Sequence, residues 1–408
     1  MIRKRFALRN EHFGATLYDR KTLTHKFLLE DELKQEINFM GEKISNPEIW
    51  KVDLTGSPKG LIYSPLRIYF EMTLKCNLRC KTCFNSSGVE GPNEMTIEEI
   101  FKSLEGLRKD NIFDVRFTGG EVTQRKDWFE VLKYAKKLGF AVSLNTNGVY
   151  QNGSTNTLDK LIELELDQIT ISLDGAEEAH TLIRGPNTFR KAVDSLRYLS
   201  QNGANTRINT VLTKNSLSDF KPILNIAGQY CQEVNFFYMR TTGRALEILD
   251  SVVTSEDLHE LDILIEKEKP KYPNLNILHG SQVMQNNSIL NHRFGLDIGG
   301  PDGFTRMNLQ SDGSVFAGGY APYLDPSLNL GNIKNDNYSM LNIWRYSKKL
   351  NSFRKTSLKL QQICGSCEDR VAQICPGASM EMELFRRANP ENGNPYCSKP
   401  LRMKDLWT

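Results

Sequence analysis

No stretch of this chain approaches the ~18–20 consecutive apolar residues that a membrane-spanning helix requires. The charged N-terminus, Met1-Ile2-Arg3-Lys4-Arg5, has no apolar segment behind it to make a secretory signal. Charge of one sign is missing as well: 52 basic residues against 49 acidic ones leave a formal net charge of +3, with no basic run of the kind a nucleic-acid footprint needs. Low-complexity segments and internal repeats are absent. These absences exclude membrane insertion and nucleic-acid binding and give a cytoplasmic chain, where thiols stay reduced. Its 408 residues allow two or three domains. Cysteine is the residue in surplus, and seven of the eight fall into two clusters.

The first cluster is the run Cys76-Asn77-Leu78-Arg79-Cys80-Lys81-Thr82-Cys83. Three thiolates at this spacing suit one cubane iron–sulfur cluster, which normally takes four cysteines, so one iron is left for a non-protein ligand. Structural zinc would want a fourth Cys or His, and the nearest later cysteine is Cys231. A disulfide framework would want an oxidising compartment. The run follows a strand-like stretch, Leu66–Met72, and so reads as a loop at a strand's C-terminal end, where α/β barrels keep their chemistry.

Further strand candidates are Phe113–Phe117, Ala141–Asn145, Gln168–Leu173, Arg207–Leu212 and Val234–Met239, separated by amphipathic helical runs. The helix over Thr96–Lys109 opens on a capping box, Thr96 with Glu99. Six strands at this spacing fit a partial barrel or an open doubly wound sheet, and composition does not separate the two.

The cysteine run resembles the C-x3-C-x-aromatic-C signature of the radical S-adenosylmethionine (SAM) superfamily, with Thr82 in place of the aromatic and Phe84 following. The resemblance implies an α/β fold, a partial (β/α)6 barrel of the TIM type over residues 66–270. It also implies a [4Fe–4S] cluster on Cys76, Cys80 and Cys83 with SAM at the open iron, cleaved by one electron to methionine and a 5′-deoxyadenosyl radical that abstracts hydrogen. Thr118-Gly119-Gly120-Glu121 matches the motif that holds the SAM amino group, with Val122 where the family often has proline. Two glycines admit a close backbone approach, and the carboxylate accepts from an amine. Ser172-Leu173-Asp174-Gly175 and Arg184-Gly185 resemble later elements in which Ser172 donates toward SAM and Arg184 pairs with its carboxylate. Asn147, in the Asn145–Gly148 turn, and Asn209 are further candidates, and Asp174 is read as a turn-former.

The second cluster comprises Cys364, Cys367, Cys375 and Cys397. By spacing alone four thiolates suit either a cluster or a zinc ion. The segment resembles a SPASM domain, with Gln310–Val315 as its hairpin and Leu330–Ile333 as the following turn. The resemblance implies iron–sulfur, in a C-terminal SPASM/twitch-like domain over 271–408. Several family cysteines are missing: Ser379 and Gly318 stand at two such positions, and another falls in Asp297–Pro301. The ligands that remain imply one auxiliary [4Fe–4S] cluster, serving as an electron relay or as a structural element.

Residues 1–65 form a small α+β segment, with a strand pair over Arg9–Arg20 turning near Gly14 and a helical run over Glu30–Lys43. It resembles the start of leader-peptide recognition domains, which add a peptide as a strand to a sheet edge; a plain barrel cap is the other reading. SPASM-bearing relatives mostly modify ribosomally made peptides. The resemblance therefore implies a precursor peptide partner, an external flavodoxin- or ferredoxin-type electron donor, and in some systems a separate leader-binding protein. Crosslinking, epimerisation, oxidation and excision are not separated by the sequence. The alternatives are a sugar or aminoglycoside substrate and a non-catalytic iron–sulfur, peptide-binding partner. Cys231 is read as a buried hydrophobe, and Tyr238, Arg240 and Tyr320 carry no assigned role.

Overall fold

The computed structural model describes residues 3–150, 155–279, 292–296 and 300–365, together with Met380 and Leu384. Its first unit is a four-stranded sheet. β1 (Phe6–Glu11) and β2 (Gly14–Asp19) pair antiparallel as the strand-pair reading requires, and β3 (Thr24–Leu29) extends the meander. Gly14 is obligatory at the turn, since a Cβ there would lie 2.3 Å from the Leu28 carbonyl oxygen. The helical run expected over Glu30–Lys43 stops early: α1 is only Glu30–Leu33. The chain then forms a hairpin of β4 (Asn38–Phe39) and β5 (Glu42–Lys43), turning at Met40 and Gly41, both with positive φ. Phe39 and Ile44 bury themselves against β1 and β2, so tertiary packing overrides a helical period. β6 (Glu48–Trp50) returns parallel to β1, giving the order β3-β2-β1-β6.

The second unit is built on β7 (Arg67–Glu71), β8 (Asp114–Thr118), β9 (Ala141–Thr146), β10 (Gln168–Ser172), β11 (Thr206–Leu212) and β12 (Glu233–Tyr238). All are parallel, and each lies beside the strand before it in sequence. A doubly wound sheet would reverse this order partway. Unbroken stepping is the winding of a barrel, and it settles what composition left open. The helices α2 (Ile97–Lys109), α3 (Trp128–Lys137), α4 (Thr155–Glu163), α5 (Glu177–Arg184), α6 (Thr188–Gln201) and α7 (Phe220–Tyr230) are the crossovers. Thr96 and Glu99 form the expected capping box. Outward residues such as Ile68, Phe70, Val115, Phe117 and Ile171 are fully buried beneath these helices, which fixes the register, since a slip of one residue would turn them inward.

Two further strands join this sheet from beyond residue 270: β13 (Asn276–Leu278) on β12, and β14 (Arg306–Leu309) on β7. The boundary expected at 270 therefore falls within one hydrogen-bonded sheet. β15 (Val315–Phe316) pairs antiparallel with β14 across the Gln310–Ser314 turn, and Val315 also bonds the 330–331 backbone. This is the hairpin-and-turn arrangement the sequence resembled. Asp110 joins the C-terminal part to the barrel, accepting from Ser339 Oγ at 2.9 Å and from the Met340 amide.

The N-terminal sheet closes the end of the barrel at which the strands begin. Phe113, just before β8, stacks on Trp50 (4.5 Å) and Tyr18 (5.0 Å). Arg9, fully buried, pairs with Glu11 at 2.8 Å and donates to the Ser64 and Asn111 carbonyls. Among the described residues no helix is long and apolar enough to cross a membrane.

Candidate functional site

The opposite end of the barrel carries the first cysteine run, as its place after β7 requires. Cys76, Cys80 and Cys83 are half-buried free thiols. Among the described residues, no three His, Cys, Asp or Glu side chains converge on a point that would hold a single ion. A cubane would take each thiolate on a different iron. Burial pushes the Cys76 thiol up to about 11 and raises Cys80, the latter opposed by Arg184.

Long-range contacts hold the loop on every side. The Gly120 amide donates to the Thr73 carbonyl at 2.7 Å and the Glu121 amide to that of Lys75 at 2.8 Å. A Cβ on Gly119 would meet Thr73 O at 2.3 Å, and one on Gly120 would meet Lys75 O at 2.2 Å. The two glycines expected to admit a ligand are thus already in contact with the cysteine loop. The Glu121 carboxylate is fully buried and accepts from Thr123, from Thr146 Oγ1 and from the Asn147 amide. It ties the ends of β8 and β9 together. The Asn147 side chain donates to Asn77 within the cysteine run at 2.8 Å.

Arg184, at the end of α5, gives its Nε to Asp174 at 2.6 Å, and its Nη1 lies 3.9 Å from Cys80 Sγ. Asp174 also accepts from the Val211 amide. It is therefore more than the turn-former the sequence suggested: it aims the guanidinium at the cysteine loop. Ser172 ends β10 at the same barrel mouth, opposite Asn209. The set fits a cluster with an anionic ligand beside it, combining three free thiols in one loop with one oriented guanidinium. Cys231 follows α7 and precedes β12, which puts it at the barrel's other end, away from the cysteine run.

Several residues that hold this loop carried no sequence signal. Arg244 donates to the carbonyls of Cys80 and Ser87, and Glu94 accepts from Thr73 and the Leu74 and Gly91 amides. Glu71, at the end of β7, accepts from Tyr323 at 2.6 Å and from Asn85, whose oxygen lies 3.0 Å from Cys83 Sγ. Burial pushes the Glu71 carboxyl up to about 7 despite those two donors. Arg240 lies over the rings of Tyr238 and Tyr320.

Of the second cysteine set, Cys364 belongs to the final helix, Lys348–Gly365. Its side chain, together with Cys367, Cys375 and Cys397, lies outside the described residues. Where a family cysteine is replaced by Gly318, a Cβ would stand 2.8 Å from the Asp302 carboxylate, which pairs with Arg306. An ion pair fills that place.

Residues 70–227 match the radical SAM superfamily, and residues 301–368 match an iron–sulfur cluster-binding SPASM domain. Among characterised relatives, the mycofactocin maturase MftC of Mycolicibacterium smegmatis is 28% identical over 346 residues, 82% of this chain and 83% of that protein. An AdoMet-dependent heme synthase of Oleidesulfovibrio alaskensis is 27% identical over 359 residues, covering 83% and 88%. Among solved structures, SuiB of Streptococcus suis bound to S-adenosylmethionine has a TM-score of 0.73 at 16% identity, covering 97% of this chain and 98% of that one. SuiB bound to its precursor peptide SuiA gives 0.72 at the same identity and coverage. At 16% identity these structures speak for the fold alone, a radical SAM barrel with its C-terminal domain.

Proposed function

The chain belongs to the radical SAM superfamily and carries an iron–sulfur-binding SPASM domain, and from that premise we propose that it modifies a ribosomally made precursor peptide. Cys76, Cys80 and Cys83 would hold the cluster that SAM joins, and Cys364, Cys367, Cys375 and Cys397 one auxiliary cluster. Bound together, reduced cluster and SAM supply one-electron cleavage of a sulfonium and removal of a hydrogen atom from a strong C–H bond.

The protein's own part is positioning. The observation that carries the reading is the Asp174–Arg184–Cys80 line: a guanidinium fixed at Nε presents its remaining N–H groups to a carboxylate beside the cluster. Gly119, Gly120, Glu121 and Asn147 keep the cysteine loop in place, and Ser172 offers a hydroxyl at the same mouth. The Asp302–Arg306 pair beside Gly318 supports a single auxiliary cluster.

Two things favour a peptide. One is that the Mycolicibacterium smegmatis relative is a mycofactocin maturase. The other is β3, which among the described residues has a strand neighbour on one side only and so offers an edge for β-augmentation. The sheet caps the barrel and can still capture a leader there, so the two readings of residues 1–65 are compatible. The heme synthase relatives make a tetrapyrrole the competing substrate class. The electron donor is a flavodoxin or ferredoxin and the compartment the cytoplasm.

The test is anaerobic reconstitution with SAM and reductant, with 5′-deoxyadenosine quantified with and without any short precursor peptide that the neighbouring genes encode. Formation by the intact protein, modification of that peptide and loss in Cys80→Ala are expected. Unchanged cleavage by Cys80→Ala would refute the site, and modification of a tetrapyrrole instead would refute the substrate class.

A further inference from the structure

The barrel strands bury apolar residues outward, so their alternate residues face the lumen, and that inner face is polar. Partway down it four arginines surround one tyrosine. The guanidiniums of Arg116 and Arg306 lie 5.7 and 5.3 Å from the Tyr69 ring centre, and Arg67 and Arg207 act on the same phenol. Three of the four are neutralised: Arg67 by Asp114 at 2.6 Å, Arg207 by Glu233 at 2.9 Å, and Arg306 by Asp302.

Arg116 is not. Only 3% exposed, it donates to two neutral groups, Ser143 Oγ at 3.0 Å and Gln168 Oε1 at 2.8 Å. Four guanidiniums against three carboxylates leave one buried positive charge, which is costly unless an anion enters. Burial alone would raise the Tyr69 phenol, yet the arginines, Arg116 foremost, hold it down at about 7.

A second, independent observation points to a missing occupant. Among the described residues, the Thr170 hydroxyl, the Gln310 amide nitrogen and Arg207 Nε, on side chains that are 1%, 6% and 9% exposed, have no hydrogen-bond partner. Buried polar atoms rarely go unpaired. Thr170 lies directly opposite Arg207 in the sheet, and Tyr69 opposite Arg116. Arg116 stands three residues before Gly119, roughly 10 Å down the strand from the mouth.

We propose that this lumen is a substrate subsite for one carboxylate, which pairs with Arg116 and takes a further hydrogen bond from the Thr170 hydroxyl. The proposal rests on the peptide reading above, and the carboxylate belongs either to an acidic side chain or to a peptide C-terminus.

The reconstituted protein with SAM is titrated calorimetrically with two pairs of capped tetra-alanine peptides. One pair carries Glu or Gln at the third position, and the other ends in a free carboxylate or an amide. At least a tenfold preference for the acid in one pair is expected, and which pair shows it identifies the source. The preference disappears in Arg116→Gln and shrinks in Thr170→Val, while the melting temperature of ligand-free Arg116→Gln is unchanged or higher, because an unpaired buried charge has gone.

Equal binding within both pairs, no binding of any peptide, or a preference surviving in Arg116→Gln overturns the proposal. So does tyrosinate absorption, assigned by difference against Tyr69→Phe, that persists at saturating peptide, for then Tyr69 is the counter-ion. Formation of 5′-deoxyadenosine by the wild-type protein without peptide reports on the superfamily chemistry separately, so failure of the subsite and failure of that chemistry are distinguishable.

Discussion

Replacing Gly120 by alanine tests whether the glycine pair holds the cysteine loop. The added Cβ would stand 2.2 Å from the Lys75 carbonyl oxygen and 2.9 Å from that of Leu74. Both are backbone atoms just before Cys76, so no side-chain rotation relieves the clash. The loop must retreat by about 1 Å to restore van der Waals contact, at a cost of roughly 1–3 kcal/mol, typical of overpacking. The barrel core is untouched, so the protein stays folded, with its melting temperature lowered by a few degrees. A displacement of ~1 Å at the reacting centre is worth on the order of 10²-fold in rate. Gly120→Ala is therefore expected to form 5′-deoxyadenosine about a hundredfold more slowly. Gly88→Ala is the control: in the same loop the nearest atoms to its Cβ, from 2.7 Å, belong to the exposed Arg79 side chain rather than to backbone, so relief costs at most the Arg79 hydrogen bonds to the Cys76 and Leu78 carbonyls. Equal rates for Gly120→Ala and wild type would refute the loop-clamp argument, and equal losses in both variants would show a general intolerance of the loop.

Arg184→Lys loses the fork that spans Asp174 and the Cys80 region. At about 1.5–3 kcal/mol for a charge-assisted hydrogen bond, the KM for SAM should rise ~10–100-fold; an unchanged KM would remove Arg184 from the SAM site. Glu71, with its carboxyl at about 7 in the folded state, holds a proton that the unfolded chain releases near the ordinary carboxyl value. Wild-type stability should therefore fall as pH rises from ~4.5 to ~7, by about 3 kcal/mol in all and about 2 between pH 5.5 and 7.5. Urea midpoints should show Glu71→Gln free of that slope, and equal slopes would refute the assignment. Reconstituted wild-type protein should carry about eight irons per chain and the Cys76/Cys80/Cys83 triple alanine about four; a triple variant with no iron would place no cluster on the second cysteine set.

The residues proposed to carry the chemistry stand out in the sequence because their signals are local. Three cysteines within eight positions must share a loop wherever that loop ends up, and a Gly-Gly-Glu after a strand has one neighbourhood. The six central strands were equally legible, since buried parallel strands read as short apolar runs bounded by turns. The short strands were not. β13 and β14 are three and four residues long and exist only because they find partners in β12 and β7.

By itself the sequence determined the cluster spacing, the alternation of strand and helix, and the capping box at Thr96. The helix at Glu30 shows where local signals end: its composition favours helix, but Phe39 and Ile44 gain more by folding back onto β1 and β2. Assembly of the sheet was needed before the strands could wind singly, Glu121 could tie two strand ends together, and Asp174 could aim Arg184. It alone gathered Arg67, Arg116, Arg207 and Arg306 around Tyr69. The physical reason is range: spacing along the chain fixes what a turn or a strand brings together, whereas a charge balance inside a barrel depends on which strands become neighbours.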